Sequence, residues 1–283
     1  MAQKKSNSEY PVVRTIRCSA STSNYSYLPV DQFLSKTNRR MYRHGRTYSV
    51  KIDADADISQ EIEVWALADN WMNDRAFKAA YKAYVENSAD ERKALKDKNI
   101  ARWEDFRTVD GVAANAINPR MYGPTLAAVD LTVGEFINSV VHDKTGTQRT
   151  FSWGAGGAAV YGILEEYDKA GNAQPSPDTS TGDMPYDDLM SDNDAAQAAA
   201  LQTNGNLPPY DPAGVGAGNA WVKVGMLTAV PNAQKLSTGY FDAPCGFVIL
   251  TVRGVTDPVD TTKLALTVKA GDYKGVHAPS MLE

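Results

Sequence analysis

Thr47-Tyr-Ser-Val-Lys-Ile-Asp-Ala-Asp-Ala-Asp-Ile58 alternates without a break. Tyr48, Val50, Ile52, Ala54, Ala56 and Ile58 fall on one side, and Thr47, Ser49, Lys51, Asp53, Asp55 and Asp57 on the other. A period of two with one apolar side is the pattern of a half-buried β-strand. Glu61-Ile-Glu-Val-Trp-Ala-Leu67 extends the β reading, and so do three later runs, Trp221 to Val230, Gly246 to Val252 and Thr262 to Lys269. In Phe247-Val-Ile-Leu-Thr-Val252 both sides are apolar, which predicts a strand covered on both faces rather than one at a sheet edge.

Between these lie further β-like runs at Leu126 to Val133, Phe136 to Val141, Gln148 to Trp153 and Ala159 to Tyr167, punctuated by Gly and Pro. The period changes once. Phe77, Tyr81, Tyr84 and Val85 recur at helical spacing, with Lys78 and Lys82 opposite, and Ser88-Ala-Asp-Glu91 has the form of a capping box opening a second, charged helix. Residues 70–100 therefore read as a helical insertion. Residues 168–220 carry eight aspartates against Lys169 amid Ala, Gly, Asn, Ser, Thr and Pro, which reads as a long acidic surface loop. No βαβ alternation and no repeat occurs. The fold class expected is all-β, an antiparallel jelly-roll sandwich with a helical insertion and that loop.

The chain has 283 residues, 43% of them apolar and 22% charged, an ordinary globular composition. No run of eighteen apolar residues suggests a membrane-spanning helix. Cys18 and Cys245 are far apart and in no metal-binding spacing, and are expected as reduced thiols. The polar start, Met-Ala-Gln-Lys-Lys-Ser-Asn-Ser-Glu9, carries no secretory pattern, so the expectation is a protein that is not exported.

Charge is unevenly placed. Residues 1–51 hold ten cations against Glu9 and Asp31, a net of +8, which leaves −13 for the remainder of a total of −5. A basic segment on an acidic body is the asymmetry expected of one face meeting a polyanion. Its densest part runs from Lys36 to Lys51 and contains no acid before Asp53. Arginine grips phosphate in a planar fork, and a neighbouring tyrosine offers a face for an unpaired base. Lys36, Arg39, Arg40, Tyr42, Arg43 and Arg46 are the candidate contacts to a single-stranded nucleic acid. The organisation expected is a basic N-terminal segment, 1–46, ahead of a shell domain, 47–283.

Catalytic sets are missing. The sequence has no HExxH, no GxSxG and no Walker A loop, and His44, His142 and His277 are distant from one another. An enzyme would require His142 or His277 to meet a carboxylate inside a pocket. Gly154-Ala-Gly156-Gly-Ala-Ala159 matches GxGxxA but lacks a surrounding βαβ unit, so a Gly-rich turn or close packing contact is expected, and no cofactor. The Asp53, Asp55, Asp57 row lacks the Gly and Glu of an EF-hand, so no metal site is assigned; a calcium ion shared between subunits is the lesser option.

Three stretches carry a resemblance: Thr37 to Asp53, Ala101-Arg-Trp-Glu-Asp-Phe-Arg107, and Val268-Lys-Ala-Gly-Asp-Tyr-Lys-Gly-Val-His-Ala-Pro-Ser-Met281. They resemble segments of capsid proteins of small, circular, Rep-encoding single-stranded DNA viruses, including lineages with nodavirus-like shells. The resemblance implies one jelly roll per subunit, self-assembly into an icosahedral virion shell, and an inward basic segment in which Arg39, Arg40, Arg43 and Arg46 face the genome. It also implies an outward acidic loop. One departure is plain: such proteins usually carry a long Arg-rich tail, whereas the first 35 residues here contain only Lys4, Lys5, Arg14 and Arg17. The other reading of the same residues is a non-enzymatic, carbohydrate-type ligand-binding β-sandwich, in which exposed Trp and Tyr stack on sugar rings.

Overall fold

A computed structural model describes residues 11–19, 25–55, 61–95, 103–112, 115–116, 119–122, 128–130, 136–169, 220–228, 235–253 and 263–283. Two antiparallel sheets face each other. In the first, β3 (Thr47–Asp55) lies between β15 (Lys263–Val268) on one side and both β12 (Lys235–Ser237) and β13 (Phe241–Pro244) on the other. Beyond β15 follow β1 (Thr15–Ser19), β6 (Pro119–Tyr122) and β7 (Ala128–Asp130). The second sheet runs β11 (Trp221–Leu227), β4 (Glu61–Leu67), β14 (Phe247–Arg253), β2 (Ser26–Pro29) and β5 (Asn115–Ala116).

The alternation read from the sequence sets the register. Tyr48, Val50, Ile52 and Ala54 point inward from β3 and meet Val64, Val248, Leu250, Leu264 and Leu266 in one buried cluster. β14 is covered on both sides, as its double apolar pattern implies: Val248 and Leu250 enter this core, while Phe247 enters a second. The second core lies on the other side of β4 and β14. Leu67 and Phe247 pack there against Phe77 of α2 (Trp71–Asn87), Ile163 and Leu164 of α4 (Ile163–Lys169), and Phe151 and Trp153 at the end of β9 (Gln148–Ser152). With β8 (Val140–His142) and β10 (Val160–Gly162), β9 forms a separate three-stranded sheet.

Several expectations change. Helical residues do fall within 70–100, and α3 (Ala89–Leu95) begins directly after Ser88, but the Glu91 side chain of the expected capping box lies outside the described residues. Ser88 ends α2, its hydroxyl donating to the Tyr84 carbonyl at 2.7 Å and accepting from Arg92 Nε at 2.8 Å. The strand expected over Ala159 to Tyr167 is β10 followed by α4, because Ile163, Leu164 and Tyr167 share one helical side and bury together. Strand pairing is not wholly antiparallel, since β9 with β10 and β2 with β5 run parallel.

The GxGxxA stretch is a tight packing site. A Cβ on Gly111, whose φ is +79°, would lie 2.1 Å from the Gly154 nitrogen, and the Gly156 N–H donates to the Glu165 carboxylate at 2.9 Å. Cys18 and Cys245 are buried free thiols, and burial pushes Cys18 up to about 12 against the opposing charge of Arg120. Of residues 168–220, all but Asp168, Lys169 and Ala220 lie outside the described residues, as do residues 1–10 of the basic segment.

Candidate nucleic-acid interface

The described part of the basic segment, residues 11–19 and 25–46, is woven into the fold. β1 is an interior strand, paired with β15 on one side and β6 on the other, and β2 pairs with β14 and β5. Between β2 and β3 the chain forms α1 (Val30–Asn38), whose Val30, Phe33 and Leu34 enter the main core. The helix stops at Arg39, which adopts φ 51°, a left-handed conformation that a side chain other than Gly adopts at a cost.

Residues 39–46 then cross the turn at 272–276. The Tyr42 hydroxyl donates to the Lys274 carbonyl at 3.0 Å, and the Tyr273 hydroxyl accepts from the Arg43 N–H at 3.1 Å. Arg46 lays its guanidinium 3.6 Å from the centre of the Tyr273 ring and donates to the Ala278 carbonyl at 2.6 Å. Lys274, also left-handed at φ 49°, donates to the Met41 carbonyl beneath the same two rings. Partial burial pulls its ammonium pKa down, and the charges of Arg40, Arg43 and Arg46 add to that.

The six candidate residues thus separate. Arg39, Arg40 and Arg43 are exposed, and Arg46 is half-buried beside them. Arg43 divides its guanidinium between the Glu104 carbonyl at 2.7 Å and Asp105 Oδ1 at 3.3 Å. Lys36 stands apart, its ammonium 5.5 Å from the centre of the Phe136 ring and pulled down by burial against the opposing charge of Asp31. Tyr42 is fully buried in the main core, so it offers no face to a base; its apolar ring serves packing and only its hydroxyl reaches a partner. Tyr273, which occupies the outer position, has Arg46 on its ring. Lys274 joins the cluster from the far end of the chain, and no spacing within the segment could have revealed it.

Under this patch lies a buried charge network. Asp31 Oδ2 accepts from Arg107 at 2.7 Å and stands 3.5 Å from His44 Nδ1. His44 Nε2 is 2.9 Å from the Thr108 hydroxyl, which also accepts from the Trp153 indole N–H at 3.0 Å. The His44 backbone N–H donates to Asp105 Oδ2 at 2.7 Å. Burial raises the Asp31 carboxyl, but Arg107 and the neighbouring His44 outweigh it and leave it below its ordinary value. Asp, His and Thr in this order resemble a nucleophile with its base, with Thr108 buried at 3% exposure. The network instead fixes the 39–46 loop to the strand insertion.

His142 is exposed and touches Gln148 rather than a carboxylate. His277 does line a cavity of about 210 Å³ with Asp69, Asp74 and Asp242, but among the described residues no hydrogen bond joins its imidazole to any of them and no nucleophile is paired with it. Asp53 is held by Lys51 at 3.2 Å and Lys235 at 3.1 Å, and its former row-mates' side chains lie outside the described residues. No group of three His, Cys, Asp or Glu among the described residues is arranged to hold a metal ion. No helix among them is long and apolar enough to cross a membrane. No protein-family model matches the chain, and comparison with curated proteins and with solved structures gives no match.

Proposed function

We propose that this protein is a viral coat protein, a non-enzymatic jelly-roll subunit that assembles with copies of itself around a single-stranded nucleic acid. The observation that carries the reading is the order of strands. Taken along the chain, β1, β2, β3 and β4 alternate between the two sheets; after the insertion, β11 stays with β4, and β12 with β13, then β14, then β15, alternate again. The resulting orders, β1-β15-β3-β13 opposite β2-β14-β4-β11, support a reading as two interlocked Greek keys, the wiring expected of a jelly-roll shell subunit.

The charge cluster supports the cargo. Arg40, Arg43, Arg46 and Lys274 converge beside Asp105, with the exposed Arg39 next in sequence, a like-charge crowd that an external polyanion would relieve. In place of a long basic tail, this reading gives genome contact to a patch on the folded body. A patch of about five charges holds single strands weakly, and many copies facing one genome multiply that hold.

The test is particle mass by ultracentrifugation and electron microscopy, with the ratio of nucleic-acid to protein absorbance, on the purified protein at low and high salt. Closed particles of uniform size whose nucleic-acid content falls with Arg40→Gln plus Lys274→Gln are expected. A strictly monomeric species at every salt and pH overturns the reading.

A further inference from the structure

Arg43 and Arg46, two arginines of the basic patch, also line a cavity of about 350 Å³. It lies where the 43–46 loop, α2, residues 104–106 and Ser280 come together. Residue 45 is a glycine, and this matters for the space: a Cβ there would stand 3.1 Å from the Phe77 ring and 3.6 Å from Leu282, pressing on two of the walls.

The lining carries Arg43, Arg46 and Arg92 against Glu104 and Asp105. Asp105 is occupied on both oxygens, by Arg43 on Oδ1 and by the His44 N–H on Oδ2. Glu104 is occupied on one: Arg92 and the Tyr84 hydroxyl both donate to Oε1, and Oε2 has no partner among the described residues. In Arg43 and Arg46 every hydrogen bond among the described residues runs through Nη1, so Nη2 and Nε of two guanidinium groups remain unused. The Ser280 hydroxyl accepts from the Leu282 N–H at 3.2 Å and keeps its own proton to give. A phosphate inside would stand beside two carboxylates, and an apolar group would leave these polar atoms dry. The lining suits a flat, uncharged group with donors and acceptors on its edge.

We infer that the cavity receives one unpaired base of the bound strand, so that each subunit holds a nucleotide by base and phosphate together; this rests on the nucleic-acid reading above. The amino or imino N–H of the base donates to Glu104 Oε2, and its ring carbonyl or ring nitrogen accepts from the Ser280 hydroxyl. The phosphate stays outside, on the unused edges of Arg43 and Arg46. The volume lies within the range of about 300–1,000 Å³ in which small-molecule sites fall. Every base has an N–H on its pairing edge, so no particular base is required. In a duplex that edge is taken, which gives single-strand preference a cause that the buried Tyr42 does not supply.

The experiment is a filter-binding comparison on the full chain at one low salt concentration. Its probes are a short oligothymidylate, an abasic deoxyribose phosphate strand of equal length, and the oligothymidylate annealed to oligoadenylate. The oligothymidylate should bind roughly ten-fold tighter than the abasic strand, the worth of a hydrogen bond to a charged group. It should also bind tighter than the duplex, although charge alone favours the duplex. Leu282→Trp, which sets an indole in the cavity from a position 38% exposed, should bring the oligothymidylate and abasic strands to equal affinity. Equal affinity of those two strands for the wild-type chain overturns the inference and leaves the coat-protein reading standing, because charge alone then holds the strand. A preference that survives in a folded Leu282→Trp overturns it as well, and should that variant not fold, the wild-type comparison still decides. A chain that binds none of the three probes removes the inference and the nucleic-acid reading together.

Discussion

At the scale of single residues, the least exchangeable group is Asp31. It is fully buried, Arg107 is 4% exposed, and the two come together across 76 positions of sequence. Removing one partner of such a pair leaves a charge without compensation, which destabilises by about 3–5 kcal/mol. Asp31→Asn should therefore lower unfolding stability by that amount at pH 7, measured by urea denaturation, and Arg107→Met added to it should restore a large part. The pH dependence has a definite sign. The folded carboxyl lies below its unfolded value near 4, so its contribution is present above that pH and is lost as pH falls through the folded value. Wild type should lose stability between neutrality and pH 3 more steeply than the variant; parallel curves would exclude this role. Nothing in the sequence pointed to the pair. Asp31 counted only as one acid in a basic segment, and Arg107 as part of an aromatic link, because pairing of buried charges is decided by the fold and leaves no periodicity behind.

Secondary-structure elements were legible where one face is dry and the other wet. β3, β4 and β15 stand where β-like runs place them, α2 where apolar residues recur at helical spacing, and β14, dry on both faces, where its run is apolar throughout. Short elements were not. α4 contains an apolar pair that fits a strand equally well, and only its packing on the second core decides. α1 was overlooked because its nine residues fall inside a basic stretch whose charge drew the reading toward solvent. The end of α1 offers a way to separate charge from conformation at the interface. Arg39 is left-handed, a state costing roughly 1–2 kcal/mol for a residue with a Cβ, while Gly in its place adds about 0.4–1 kcal/mol of unfolded-chain entropy. Arg39→Gly should raise stability by up to about 1 kcal/mol, whereas Arg39→Gln, which keeps the strain, should not. Both should weaken binding of an oligothymidylate equally in a filter-binding assay, since both remove the same charge. Different affinities would mean that the loop's shape, and not its charge, governs the contact.

For the molecule as a whole, the described part of residues 1–46 pairs and packs with the β-sandwich, so truncation at 46 removes core. Net charge summed along a sequence cannot distinguish a free arm from a strand whose cations face outward while its apolar residues face in. β1 is such a strand: Arg17 is exposed, and Ile16 and Cys18 on either side are buried. Removing residues 1–46 would take away Ile16, Cys18, Leu28, Val30, Phe33, Leu34 and Tyr42, all members of the main core. At about 1.5–3 kcal/mol for each large apolar side chain, the loss is as large as the whole of the roughly 5–15 kcal/mol by which a domain is stable. It would also leave β15 and β14 each without one of two neighbours, exposing unpaired strand edges in both sheets. The truncated chain should therefore be unfolded or aggregated, read by the loss of a cooperative thermal transition in circular dichroism and by its absence from the soluble fraction. Neutralising Arg39, Arg40 and Lys274 in the full chain should leave that transition in place and lower only the affinity for nucleic acid. A soluble, cooperatively folding 47–283 fragment that merely binds less nucleic acid would restore the separate arm and sink the integrated interface.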